Sequence, residues 1–175
     1  LNDGYAVSLA GGTHHAYADR GEGFCVFNDV AVAIRVLQAA RPLRAAIIDL
    51  DVHQGNGSAH IFRGDDTVFT LSVHGANNFP FRKEASDVDI PLPDRAADDQ
   101  YLDAVHTGLR HLPEAYDIAF YIAGADPFEG DRLGRLNVTK AALRERDLAV
   151  YRECARWGVP VVVVMGGGYA ADVTD

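Results

Sequence analysis

Cysteine is scarce in this sequence: only Cys25 and Cys154, far apart and outside any CxxC pattern. A disulfide framework is therefore excluded as an organising theme, and a reducing, cytoplasmic setting is expected. Basic residues are also few, 16 Lys and Arg against 25 Asp and Glu, for a net charge of −9. A general nucleic-acid binder, with its basic stripe, is excluded. A small cationic substrate such as a lysine side chain is not, because a negative rim attracts it. No apolar run approaches the ~18 residues of a membrane span, and the first residues lack the basic and long apolar regions of a signal peptide. Neither nucleic acid nor membrane is an expected partner, and oligomeric state stays open. There is no initial Met; the opening LNDGYAV reads like the interior of a longer chain, so a fragment is expected.

What is present is a chain of 175 residues, 48% apolar, enough for one domain with a real core. No repeat or dividing linker interrupts it. Short apolar runs alternate with helix-period stretches, which predicts an α/β domain on a mostly parallel sheet. Strands are expected at Tyr5–Leu9, Ala45–Leu50, Thr67–Val73, Asp117–Ala123 and Val159–Met165. The last, almost wholly apolar, is expected at the centre. Asn28 reads as the cap of a helix that stops before Pro42, and Thr139 as the cap of one running to about Trp157. Tyr101, Leu102, Val105, Leu109 and Leu112 mark one face of a helix over Asp98–Leu112. The polar stretch Asn77–Arg95, with three prolines, reads as a long loop.

The chemistry-bearing residues share one location. His14 and His15 follow the first strand, Asp49, Asp51 and His53 leave the second, His74 follows the third, Asp126 the fourth, and Gly166–Tyr169 the fifth. All lie at carboxyl ends, where open α/β sheets bind ligands.

Each cluster has two readings. In Asp49-Leu-Asp-Val-His53 the spacing of two puts three side chains on one side of an extended backbone. They can grip a metal, or form a polar strand exit with ordinary hydrogen bonds. Gln54-Gly-Asn-Gly57 turns the chain sharply. Asp126 before Pro127 is a turn former, or the third donor of an Asp/His/Asp set with an open position, the pattern of catalytic zinc. Two oxygen donors also leave Fe(II), Co(II) or Mn(II) open. His14 and His15 are loop histidines or a proton-transfer pair. Gly166-Gly-Gly-Tyr169 is a loop or phosphate nest, or it presents a hydroxyl to a developing oxyanion. Phe24 can line a slot for an aliphatic chain. Phe27 and Trp157 read as core, Cys25 as a small buried hydrophobe, His60 as structural, and His106 and His111 as helix surface. His74 is undecided.

As an ordered set these are far more specific. Ala10-Gly-Gly-Thr-His-His-Ala16, Gly23-Phe-Cys-Val-Phe-Asn28, Asp49-Leu-Asp-Val-His-Gln-Gly-Asn-Gly57, Gly124-Ala-Asp-Pro127 and Gly166-Gly-Gly-Tyr169 resemble the zinc-dependent histone deacetylase family, of arginase/deacetylase fold. Gly-Thr-His-His and the Asp19–Phe24 run resemble its class IV branch and bacterial relatives. The resemblance spans Ala10 to Tyr169. It implies a three-layer α/β/α fold and a hydrolase that removes acetyl or acyl groups from lysine or a similar amine. It implies one Zn2+ on Asp51, His53 and Asp126. It further implies a catalytic pair His14 and His15 partnered by Asp49 and Asn56, and Tyr169 polarising the carbonyl. A structural K+ would use Asp49, Asp51, His53, Ser72 and Val73. A substrate channel would be lined by Gly23, Phe24, Phe79 and Gly167.

In such an enzyme zinc brings a water's pKa to about 7 and polarises the amide. One histidine takes the water's proton, and a protonated group delivers one to the leaving amine. A carboxylate partner raises a histidine pKa and an amide does not. His14, beside Asp49, is therefore expected to be the more cationic, and His15, beside Asn56, the neutral base. The family's domain is considerably longer. An amino-terminal portion with its substrate-gripping acidic loop, and helices after Tyr169, are expected to be missing, leaving apolar faces exposed. Competing readings are an acetylpolyamine deacetylase, an arginase-like ureohydrolase (which needs more metal ligands), and a non-catalytic metal-binding scaffold. A nucleotide module lacks the fingerprint acidic residue.

Overall fold

The computed structural model describes residues 4–171. Six strands form one sheet among them: β1 (Tyr5–Ser8), β2 (Ala45–Asp49), β3 (Val68–Gly75), β4 (Val88–Leu92), β5 (Ile118–Ala123) and β6 (Val161–Met165). Their order is β1-β6-β5-β2-β3-β4, and all five pairings are parallel. Parallel strands need crossovers, most of them supplied by α1 (Asp29–Ala40), α2 (Asn56–Ile61), α3 (Asp98–Leu109) and α4 (Lys140–Trp157).

The side-chain alternation of β2 sorts the layers. Ala46, Ile48 and Leu50 face Tyr101, Val105 and Leu109 of α3 and Val150 and Cys154 of α4. Ala45 and Ile47 face Val30, Ala31 and Ile34 of α1, with Phe62 beyond α2. The result is the expected three-layer α/β/α architecture. Each fully buried Val, Leu or Ile stabilises it by about 1.5–3 kcal/mol. Both caps form: Asn28 Oδ1 accepts from Ala31 N at 3.0 Å and Thr139 Oγ1 from Ala142 N at 3.2 Å. Gly158, at φ +64, closes α4 in the left-handed conformation that favours glycine.

Several expectations need correction. Asn77–Arg95 contains a strand, β4. Its Pro91 withholds no hydrogen bond the fold needs, because β4 is an edge strand. The turn read at Gly55–Gly57 opens the short helix α2 instead. β6 is interior, between β1 and β5, but the centre belongs to β5 and β2. α3 ends at Leu109, three residues early. Phe27 is 76% exposed, and Trp157 is exposed with Nε1 bonded to Glu153. No helix among the described residues is long and apolar enough to cross a membrane.

The topology selects the site. From β2 the chain steps to β3 and β4 on one side, then returns to β5 and β6 on the other. The strand order therefore reverses between β2 and β5. The crevice outside the carboxyl ends at such a switch is where open α/β sheets bind ligands.

Candidate active site

Asp51 and His53 leave β2, and Asp126 leaves β5. In the crevice one donor atom from each of the three lies within 4.8 Å of the others, all buried. His53 Nδ1 is 3.0 Å from Asp51 Oδ1 and 3.0 Å from Asp126 Oδ2. Backbone donors aim the carboxylates: His53 N to Asp51 Oδ1 at 2.8 Å, Gly167 N to Asp51 Oδ2 at 2.5 Å, and Val52 N to Asp126 Oδ1 at 2.9 Å. Burial and the Asp51 charge push the Asp126 carboxyl up to about 7. Asp51 is held low, the imidazoles of His14 and His53 and these donors outweighing its burial. Burial opposes charge on His53, but the two carboxylates override it and raise that ring to about 10. Two crowded buried carboxylates around one imidazole nitrogen make an arrangement that a divalent cation relieves. Oxygen, nitrogen and oxygen donors fit zinc or another borderline divalent metal.

The histidine pair is held from α1. Asp29, in its first turn, accepts from Gly12 N (3.0 Å), Thr13 N (2.8 Å) and Thr13 Oγ1 (2.7 Å). Asn28 Nδ2 donates to Ala16 O at 3.2 Å, and Ser58 N to His14 O at 3.1 Å. The loop entering α1 thus fixes where both rings point. His14 Nδ1 meets Asp49 Oδ2 at 2.6 Å, and His15 Nδ1 meets Asn56 Oδ1 at 2.7 Å, with ring centroids 4.1 Å apart. Their electrostatics diverge. Burial opposes charge on both, but Asp49 and Asp51 carry His14 up to about 9. His15 has only an amide partner and a charged neighbour in His14, and it falls to about 3.

Asn56 is itself locked. Its Nδ2 donates to Glu22 Oε1 at 2.9 Å and to Tyr17 Oη at 3.1 Å. Its oxygen must then face His15, which puts the ring proton on Nδ1 and leaves Nε2 free. Sequence reasoning missed Glu22. Its only signal was a carboxylate between two glycines in the turn before α1.

That turn also builds the cleft wall. Glu22 and Cys25 exchange backbone bonds at 3.0 and 2.8 Å, with Gly23 at φ +54 and Phe24 at φ +66 between them. Positive φ at both central residues is the type I′ pattern. It costs a bulky residue about 1 kcal/mol or more and displays Phe24, 91% exposed, at the tip. Gly23 is required because a Cβ there would strike the His15 ring. Gly23, Phe24, His15, His53, Phe79, Phe81, Leu133 and Tyr169 line a cleft of about 470 Å³.

Tyr169 lies at its inner end, its ring 6.3 Å from that of His53. Burial and the nearby Asp51 and Asp126 push its hydroxyl up to about 12, so it stays a donor. Its backbone is clamped by residues the sequence reading did not select. Tyr169 N donates to Asp131 Oδ2 at 2.5 Å, and Arg132 Nε donates to Tyr169 O at 2.7 Å. Gly167 backs the triad, where a Cβ would overlap Asp126. Ser72 pairs in register with Asp49, next to buried Val73, and Ser72 Oγ lies 2.9 Å from Nδ1 of buried His74. Burial lowers His74 to about 4. His60 is a surface residue beside Glu84, and His106 and His111 are exposed as expected.

The chain as a whole is similar to known proteins. An uncharacterized protein of Picosynechococcus is 46% identical over 178 residues, covering all of this chain and 59% of its own length. The solved structure of a histone deacetylase homolog from Aquifex aeolicus superposes with a TM-score of 0.81 at 30% identity, over 93% of this chain and 47% of that one. Acetylpolyamine aminohydrolase from Burkholderia pseudomallei follows at 0.79 and 28%, over 95% and 52%. The chain spans about half the length of the relatives it matches. The family model described as the histone deacetylase domain matches residues 1–175. With the fold, the convergent triad and these matches in agreement, the chain belongs to the histone deacetylase family.

Proposed function

We propose that this chain carries the catalytic centre of a metal-dependent amidohydrolase, zinc being the expected metal, that removes acetyl or acyl groups from the ε-amino group of lysine. The observation that carries the reading is the buried Asp51/His53/Asp126 triad beside two histidines of opposite electrostatic character, at the base of an aromatic-walled cleft. Asp51, His53 and Asp126 would hold the zinc. When bound, it supplies Lewis acidity toward an amide carbonyl and acidifies a water molecule.

The chain's own groups do the rest. Phe24 and Phe79 flank the aliphatic chain and exclude water from it. His15, neutral with Nε2 free, takes the proton of the attacking water, and that proton ends on the departing amine. His14 stays cationic and offsets the negative charge that develops nearby. Tyr169 donates its hydroxyl to the carbonyl oxygen as that oxygen becomes anionic. A structural K+ is part of the proposal. Among its candidate residues Asp49, Asp51, His53, Ser72 and Val73, Asp49 ends β2 and pairs in register with Ser72 inside β3.

The test is metal content after dialysis, by elemental analysis, together with hydrolysis of an acetyl-lysine peptide. One zinc per chain with turnover, both lost in Asp126→Ala, is expected. Metal-loaded protein that hydrolyses no acyl-lysine would overturn the reading. The likeness to an acetylpolyamine aminohydrolase favours a second reading, a small acylated amine as substrate. A higher kcat/KM on N-acetylputrescine than on acetyl-lysine selects it.

A further inference from the structure

Arg146 of α4 takes no part in the chemistry above, yet its side chain is almost wholly buried. A guanidinium withdrawn from water is unfavourable unless its donors find partners. Those of Arg146 do. Nε and one terminal nitrogen meet Asp147 Oδ1 at 2.9 and 2.8 Å, and Tyr121 donates its hydroxyl to the same oxygen at 2.5 Å. The other terminal nitrogen donates to the Gly124 carbonyl at 2.6 Å and reaches the Tyr101 hydroxyl at 3.4 Å. Tyr101 passes the link on, donating to the Leu50 carbonyl at 3.3 Å.

The two carbonyls locate the purpose. Leu50 directly precedes Asp51, and Gly124 stands two residues before Asp126. Gly124 also stands close behind both carboxylates: a Cβ added there would lie 2.6 Å from Asp51 Oδ2 and 2.9 Å from Asp126 Oδ1. The position of this backbone segment therefore bears on the space available to both ligands. A helix that only needed to cover the sheet would be served by an apolar residue at this position. A fork of donors, anchored along its Nε edge by Asp147, instead ties the backbone where β2 and β5 end, just behind the triad.

We propose that Arg146 is a positioning residue for the metal centre, setting the spacing of Asp51 and Asp126 through the Gly124 carbonyl and, by way of Tyr101, through the Leu50 carbonyl. The inference rests on the reading of the triad as a metal site.

The test is zinc affinity, by competition with a chromogenic chelator, beside the melting temperature in excess chelator. Removal of a partner that orients metal ligands typically weakens binding about 10- to 100-fold. Arg146→Met is expected to fall in that range, Arg146→Lys to recover part through the Gly124 carbonyl, and Tyr101→Phe, which loses one hydroxyl, to weaken binding a few-fold. Variants that melt lower but keep wild-type zinc affinity would show a role in folding only and overturn the proposal. If Arg146→Met does not fold, Tyr101→Phe decides by the same criterion. Wild-type protein that takes up no zinc overturns the functional reading, and the positioning role with it. Tight wild-type binding with unaltered variants overturns the positioning role alone.

Discussion

Asn56→Asp is the most informative single substitution. His14 and His15 are neighbouring rings that differ chiefly in the partner of Nδ1, a carboxylate at 2.6 Å and an amide at 2.7 Å. The variant gives His15 the partner His14 already has. Two unit charges about 4 Å apart at an effective dielectric of about 20 attract by about 4 kcal/mol. At about 1.4 kcal/mol per pKa unit that is a ceiling of about 3 units. Glu22 lowers it, because the amide that now donates to Glu22 at 2.9 Å would become a carboxylate facing a carboxylate. A rise of about 1–2 units is expected, from about 3 in the native protein. Nitrogen-15 NMR of the imidazoles in metal-free protein at pH 5 reads the result. Wild-type His15 is neutral with the proton on Nδ1, whereas the variant is partly protonated. If the enzyme uses His15 as its base, activity is lost below the His15 pKa, so the acid limb of kcat/KM moves up by the same amount. An unchanged His15 spectrum and an unmoved limb would refute the assignment of the base and the electrostatic argument behind it.

Three other outcomes are expected. Ile48→Ala, in a fully buried position of β2, should lower stability by about 2–5 kcal/mol in urea unfolding. In chelator, stability should fall as pH rises through the 6.5–9 window. His14 is raised to about 9 from 6.5 when folded, so the native state holds a proton there that the unfolded chain has released. The stabilisation is complete below 6.5 and gone above about 9. Asp126, raised to about 7, adds the same sign at lower pH. The slope per group reaches on the order of 1.4 kcal/mol per pH unit, and thermal melts across that window measure it. Gly167→Ala, whose Cβ would overlap Asp126, should cut zinc content after dialysis while shifting the melting temperature of the metal-free protein little.

Much of the site was legible because its physics is local. The period of two over Asp49, Asp51 and His53 puts them on one side of a strand exit. Asn28 and Thr139 stand where helix caps must. Their neighbours were harder to see. β4 was hidden by Pro91, since a proline argues against a strand until the strand is known to be an edge. α2 was hidden by Gly55 and Gly57, which read as a turn; Gly57 is small because a Cβ would collide with the backbone at Ala16. Phe27 reads as core because apolar residues usually are, yet it is exposed just before α1. Glu22, Asp131, Arg132 and Arg146 act across 22 to 38 residues, the last three on backbone atoms. No spacing rule reaches them.

The pairing of β2 with β5 joins residues far apart in the chain: His53 meets Asp126 across 73 positions. A ribosome delivers Asp51 and His53 long before their third companion, and closing so large a loop is slow compared with local events. A half-made chain therefore offers an incoming ion two donors at most. The complete cradle exists only once β3, β4 and α3 have been laid down and β5 has slotted beside β2. On the proposed reading of the triad as a metal site, tight capture of an ion marks the end of assembly, and an abandoned or proteolysed stump that stops before β5 lacks the third donor.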